Sequence, residues 1–95
     1  MKTLEQRFDE VVAKIRSLPS DGPAQPSNEL KLELYGLFRQ ARDGDAPDDG
    51  PSAFDFLGRF KHDAWLGNKG MAKDEAMRQY VAAVEGFARR HGVEI

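Results

Sequence analysis

No cysteine occurs among the 95 residues, which excludes a disulfide framework, a thiolate metal site and a cysteine nucleophile together. Histidine is scarce as well. His62 and His91 are the only two, and neither has a partner at metal-ligand spacing. No apolar run approaches the roughly 18 residues of a membrane span. The opening stretch MKTLEQRFDE is charged from the start and has no apolar run of signal-peptide length. The expectation is a cytoplasmic protein without stable membrane insertion. Charge of one sign is also lacking: charged residues make up 32% of the chain, yet the net charge is only -2. There is thus no global positive field of the kind that draws nucleic acid, and any anion site must be local.

What is present is helical periodicity, interrupted by two loops rich in turn formers. Leu4, Phe8, Val11, Val12, Ile15 and Leu18 recur at three- and four-residue steps and predict a first helix from about Thr3 to Leu18. Thr3 suits its N-cap, with Gln6 as an approximate capping-box partner. The segment PSDGPAQP, residues 19–26, holds three of the five prolines and ends that helix. A second helix is expected from Ser27 or Asn28 to about Arg42, with Leu30, Leu34, Leu37, Phe38 and Ala41 as its apolar stripe.

DGDAPDDGPS, residues 43–52, reads as a solvated acidic loop. A third, shorter helix is expected from about Ala53 to Gly67, its apolar set being Phe56, Leu57, Phe60, Ala64 and Trp65. GNKG at 67–70 makes the turn into a fourth helix from Ala72 or Lys73 to about Arg90. Ala76, Met77, Tyr80, Val81, Val84, Phe87 and Ala88 trace the buried face of that helix, and Gly92 stops it. The fold class is all-α, a single domain over residues 1–95, built as a four-helix bundle with long connecting loops. Such loops leave room between helices, where ligand sites of bundles are found.

Several chemistries fail at the level of spacing. GNKG follows a helix and lacks the Walker pattern, so it is a turn and not a phosphate loop. Counting from Asp43, the sixth residue is Asp48 and the twelfth Phe54, where a calcium loop needs glycine and glutamate. No nucleophile stands with a paired base. Arg16, Arg39, Arg59, Lys61 and Lys69 are each, taken alone, ordinary surface charge. Tyr35 and Arg39, however, lie four residues apart on one helical ridge that Lys31 extends by a turn. That ridge is either a wet face or a docking surface for an anion.

Three runs decide between these readings: LYGLFRQARDGD at 34–45, FDFLGRFKHDAW at 54–65 and NKGMAKDEAMRQYVAAVE at 68–85. In order and spacing, together with Phe8 and Pro26, they resemble the acyl-CoA-binding protein family over almost the whole chain. The resemblance implies four antiparallel helices that cup the head group of a fatty acyl-CoA and shield its acyl chain. It implies non-covalent binding, buffering and intracellular transport of medium- to long-chain thioesters, without catalysis, cofactor or metal. Acyl-CoA is then the ligand, acyl-CoA-using enzymes are the expected partners, and a monomer is the expected state.

Carried over position by position, the resemblance implies that Tyr35, Phe38 and Arg39 contact the nucleotide and that Lys61 meets phosphate. Tyr80 occupies the fourth-helix tyrosine position, and Arg16 falls where a first-helix basic residue contributes. The chain departs from the family pattern at Leu57, where many members carry lysine, and at His62, where tryptophan is usual. Phe38 stands for tyrosine, Arg39 for lysine and Ala72 for a serine N-cap, and the loop at 19–26 is longer than usual. Leu57 and His62 are the arguments for the alternative, a protein-interaction bundle that keeps the fold and has lost the ligand.

Overall fold

The computed structural model describes every residue except Ser20, Asp21, Pro23, Ala53 and Ile95. Among the described residues there are four helices and no strand: α1 (Leu4–Arg16), α2 (Asn28–Asp43), α3 (Phe56–Leu66) and α4 (Lys73–His91). Each begins where local chemistry permits. Thr3 and Gln6 form a complete capping box, reciprocal bonds of 2.9 and 3.1 Å, where only an approximate one was expected. Ser27 caps α2 by accepting from the Leu30 amide, and Asp55 caps α3 by accepting from that of Gly58. Ala72 offers α4 no side-chain bond, a deficit of about 1 kcal/mol relative to serine. Asp74 and Glu75 in its first turn oppose that loss through the helix dipole. Gly92, at φ +65°, ends α4 in the left-handed region.

The helices meet in the spatial order α1, α4, α2, α3. The molecule is a slab whose shortest dimension is 17 Å, less than two helix diameters of about 10 Å each. The core fills the layer between α1, α2 and α4: Phe8, Val11 and Val12 from the first, Leu34, Leu37 and Ala41 from the second, and all seven expected residues of the fourth are buried. Helix α3 departs from expectation. It begins at Phe56, behind the Asp55 cap, and not at about Ala53, a position outside the described residues, and of its predicted apolar set only Trp65 is buried. Phe56, Leu57 and Phe60 remain 71, 63 and 61% exposed. The reason is position: α3 is the edge helix, packed on α2 alone, and Leu57 and Phe60 line an open hollow between the two helices where they are not in close contact.

Two devices seat α3 and the loops around α2. At Gly36 the α2 and α3 backbones approach so closely that an added Cβ would lie 2.4 Å from the Ala64 carbonyl oxygen. Gln40, wholly buried, donates through Nε2 to Asp45 Oδ1 and to the Met71 carbonyl, both at 2.8 Å. Asp45 also accepts from the Gly70 amide at 2.9 Å. The acidic loop is thus only partly a solvated one: Asp45 is a structural acceptor, and Asp43 and Asp48 pair with Arg39 and Lys69. The Gly70 amide first and the Gln40 side chain second hold the Asp45 carboxyl below the ordinary aspartate range, with a smaller push from Lys69.

Gly36→Ala gains about 1 kcal/mol of helix propensity but forces apart two backbones, which typically costs 1–3 kcal/mol or more (about). Net destabilisation in thermal denaturation is the expected result, and an equally stable variant would show that α3 shifts freely. Asp45→Ala is expected to be less stable than the parent near neutral pH. Because the folded-state pKa lies below the unfolded one, the carboxylate's contribution is present above about pH 4 and is lost as pH falls through the folded value. Denaturant titrations over a pH series should therefore show the gap between the two proteins closing on acidification.

Candidate functional site

Helices α1 and α2 have no close backbone approach; they face each other through side chains. Phe8 stacks on Phe38, with ring centroids 6.0 Å apart, and meets Tyr80 edge-on at 5.1 Å. Arg42 reaches from α2 to Asp9 on α1 and lies 5.2 Å from the Phe8 ring centroid. These contacts hold the two helices apart as well as together, and the space left beside them is a hollow of about 250 Å³. Arg16, Lys31, Tyr35, Phe38 and Tyr80 line it, with Leu18, Gln25 and Pro26 closing the side nearest the long first loop.

Arg16 holds its guanidinium 4.6 Å over the Phe38 ring, within cation–π range. Tyr80 is almost completely buried. Burial pushes its hydroxyl above the ordinary phenol pKa of 10.0, against a smaller opposing pull from Arg16. The phenol therefore stays protonated at neutral pH and can serve as a hydrogen-bond donor.

A second hollow, of about 460 Å³, opens between α2 and α3. Leu32, Leu57 and Phe60 give it an apolar wall, and Asn28, Lys31, Tyr35 and Lys61 line the rest. Lys61 Nζ stands 5.5 Å from the centroid of the Tyr35 ring. Lys31 and Tyr35 belong to both hollows, so the cationic, aromatic one continues into the apolar one.

Of the six site residues read from the sequence, Arg16, Tyr35, Phe38 and Tyr80 come together in the first hollow, and Lys61 joins them across Tyr35. Arg39 does not line either. Its Nε is 3.1 Å from Asp43 Oδ2, and its guanidinium lies 4.4 Å over the Trp65 ring. The i, i+4 spacing of Arg39 and Asp43 is the sequence signal for that pairing. Lys31 was visible as part of the ridge, whereas Leu32 and Phe60 had no sequence signal beyond being apolar. Gln25 enters the wall only through the course of the first loop.

The chemistry offered is that of binding. Arg16, Lys31 and Lys61 have no carboxylate within 4.0 Å among the described residues. Two hollows elsewhere on the surface hold matched cations, Arg7 with Glu85 at 2.8 Å and Lys2 with Glu10 at 2.6 Å, beside Arg89 and Lys14, which have no carboxylate within 4.0 Å among the described residues. No His, Cys, Asp and Glu cluster among the described residues is arranged to hold a metal ion. Among the described residues, the hydroxyls in the first hollow are those of Tyr35 and Tyr80, and no histidine or carboxylate lines it to act as a base.

Comparison with known proteins places this geometry. The family model described as acyl CoA binding protein matches residues 5–84, a span that contains all six site positions. Acyl-CoA-binding protein homolog 1 of Caenorhabditis elegans is 41% identical over 85 residues, which cover 90% of this chain and 94% of that protein. The crystal structure of ACBP from Moniliophthora perniciosa superposes with a TM-score of 0.90 at 34% identity, covering 99% of this chain and 87% of that one. The crystal structure of Oryza sativa acyl-CoA-binding protein 2 gives 0.85 at 36% identity, covering 95 and 96%. By sequence, fold and extent, this chain belongs to the acyl-CoA-binding protein family.

Proposed function

We propose that the protein binds fatty acyl-CoA thioesters without transforming them, and so buffers and carries them. The observation that carries this reading is the junction of the two hollows at Lys31 and Tyr35, since one side offers unpaired cations and aromatic faces and the other an apolar wall. An amphiphile with a large anionic head and a long apolar tail matches that sequence of surfaces. Coenzyme A supplies phosphates for the Arg16 fork and for the point charges of Lys31 and Lys61. Its adenine supplies a face for Phe38, an interaction worth roughly 1–3 kcal/mol per base in other systems. The Tyr35 and Tyr80 hydroxyls donate to the head group, and the tail runs along Leu32, Leu57 and Phe60.

Two residues given as departures acquire roles in this reading. Leu57 removes a charge from the second hollow and adds apolar wall in its place. Arg39, on the Tyr35 ridge, reaches a ligand phosphate by exchanging it for Asp43. Each methylene shielded contributes roughly 0.8 kcal/mol, so four or five of them rival a good phosphate contact. Selectivity for the thioester over free coenzyme A follows from the tail.

Calorimetric titration with a long-chain acyl-CoA, with free coenzyme A and the matching fatty acid as controls, tests this directly. One-to-one binding of the thioester is expected, with both controls far weaker. Lys61→Ala and Arg16→Ala should each weaken binding about tenfold, the loss of one charge-assisted contact. Asp43→Asn should tighten it by releasing Arg39. Comparable affinities for thioester and free coenzyme A would remove the tail from the reading, and no binding of any of the three would leave the interaction bundle as the function.

A further inference from the structure

Toward its C-terminal end, helix α3 is held on α2 by the backbone crossing at Gly36 and Ala64 and, beside it, by Trp65. The Trp65 Nε1 donates to the Gly44 carbonyl at 2.7 Å, and its ring carries the Arg39 guanidinium at 4.4 Å. The first turns of α3 differ, since Leu57 and Phe60 stand exposed along the second hollow. Arg39 lies between these regions. It is one turn from Tyr35, which lines both hollows, and one turn from Asp43 on the same ridge. A single guanidinium serves one side at a time, and here it serves Asp43 and Trp65. That hold is light: Nε is 3.1 Å from Asp43 Oδ2 without the alignment of a hydrogen bond, and both side chains are part-exposed. Exposed pairs of this kind are among the weakest ionic contacts, whereas a guanidinium fork on phosphate makes paired charge-assisted bonds. A phosphate that reaches Arg39 therefore takes it from Asp43 and Trp65.

We propose that Arg39 latches α3 through Trp65 and Asp43, and that a head-group phosphate opens the latch, freeing α3 to turn about the Gly36–Ala64 crossing and bring Leu57 and Phe60 over the acyl tail. The proposal rests on the acyl-CoA reading above and adds an order to it: the head engages first, and the tail is covered second. Lys61, on the same helix and 5.5 Å from the Tyr35 ring centroid, follows the turn toward the head group. Asp43 is then a positioning residue, because it acts on the ligand only through Arg39. Linkage between the two events is reciprocal: binding weakens the latch, and weakening the latch strengthens binding by the same factor.

Trp65 is the only tryptophan of the chain and lines neither hollow, so its single indole N–H resonance reads the latch and not the ligand. Saturating palmitoyl-CoA and saturating free coenzyme A should each shift that resonance and speed exchange of its proton several-fold, and palmitate should do neither. Amide exchange at residues 57–61 should slow with palmitoyl-CoA alone. Asp43→Asn should move the indole resonance part-way before any ligand is added and tighten palmitoyl-CoA binding about two- to fivefold. Arg39→Ala should start from the released signal and show no further shift at saturation. Calorimetry on the same samples reports binding independently. Binding of palmitoyl-CoA with an unmoved indole, or with unchanged exchange at 57–61, overturns the latch and leaves the carrier reading standing. An indole shift with palmitoyl-CoA but not with coenzyme A overturns it as well, since the tail would then be the trigger. Absence of palmitoyl-CoA binding removes both.

Discussion

Phe8 is the side chain on which the arrangement of α1, α2 and α4 turns. It is completely buried, stacked on Phe38 and edge-on to Tyr80, so one residue of the first helix touches an aromatic ring on each of two others. Offset and edge-on ring pairs add about 0.5–1.5 kcal/mol each beyond their buried area. Their geometric effect is larger than that figure suggests. Rings of this size set a spacing that aliphatic side chains would not, and the gap between α1 and α2 is the first hollow. Core and site are therefore built from the same residues: Phe38 and Tyr80 reach the ligand face only because Phe8 fixes their other sides.

The second hollow depends on a different constraint. Helix α3 touches only α2, so its seating rests on a few contacts: the bare backbone approach at Gly36, the Trp65 Nε1 bond to the Gly44 carbonyl at 2.7 Å, and the Arg39 guanidinium over the Trp65 ring. Gln40 then ties the end of α2 to Asp45 and to the chain entering α4. The Gln40 Nε2 group directed at two acceptors favours this arrangement of the loops, because any other would leave that buried donor unpaired in addition to Gln40 Oε1, which has no partner among the described residues.

The helices were legible in the sequence because capping residues and apolar periodicity both act locally. Thr3, Ser27 and Gly92 mark ends by chemistry that needs no tertiary partner, and the stripes of α1, α2 and α4 correspond to the faces that are buried. Helix α3 shows where such reasoning stops. Periodicity identifies an apolar face but not whether another helix covers it, and Phe56 and Phe60 stay exposed, Phe60 as part of the wall of the open second hollow. The residues of the first hollow were legible through the family pattern, whereas the engagement of Arg39 with Asp43 and Trp65 was not. Nor was the burial of Gln40, since glutamine is ordinarily a surface residue.

The order in which the helices touch has a consequence for how the molecule comes to exist. Helix α1 has its only close backbone neighbour in α4, and the Arg7 to Glu85 ion pair spans 78 positions of the sequence. Of the four helices α1 is made first; α2 offers it side-chain contacts alone, Phe38 for Phe8 and Arg42 for Asp9, and its close backbone packing waits for α4. The loop that must close is long for a helical protein of this size, and closing it is a cost borne before the contacts form. The gap beside Phe8 cannot exist before that closure, because one of its walls is α1 and another is Tyr80 of α4. Completion of the chain fold and the appearance of the first hollow are thus one event.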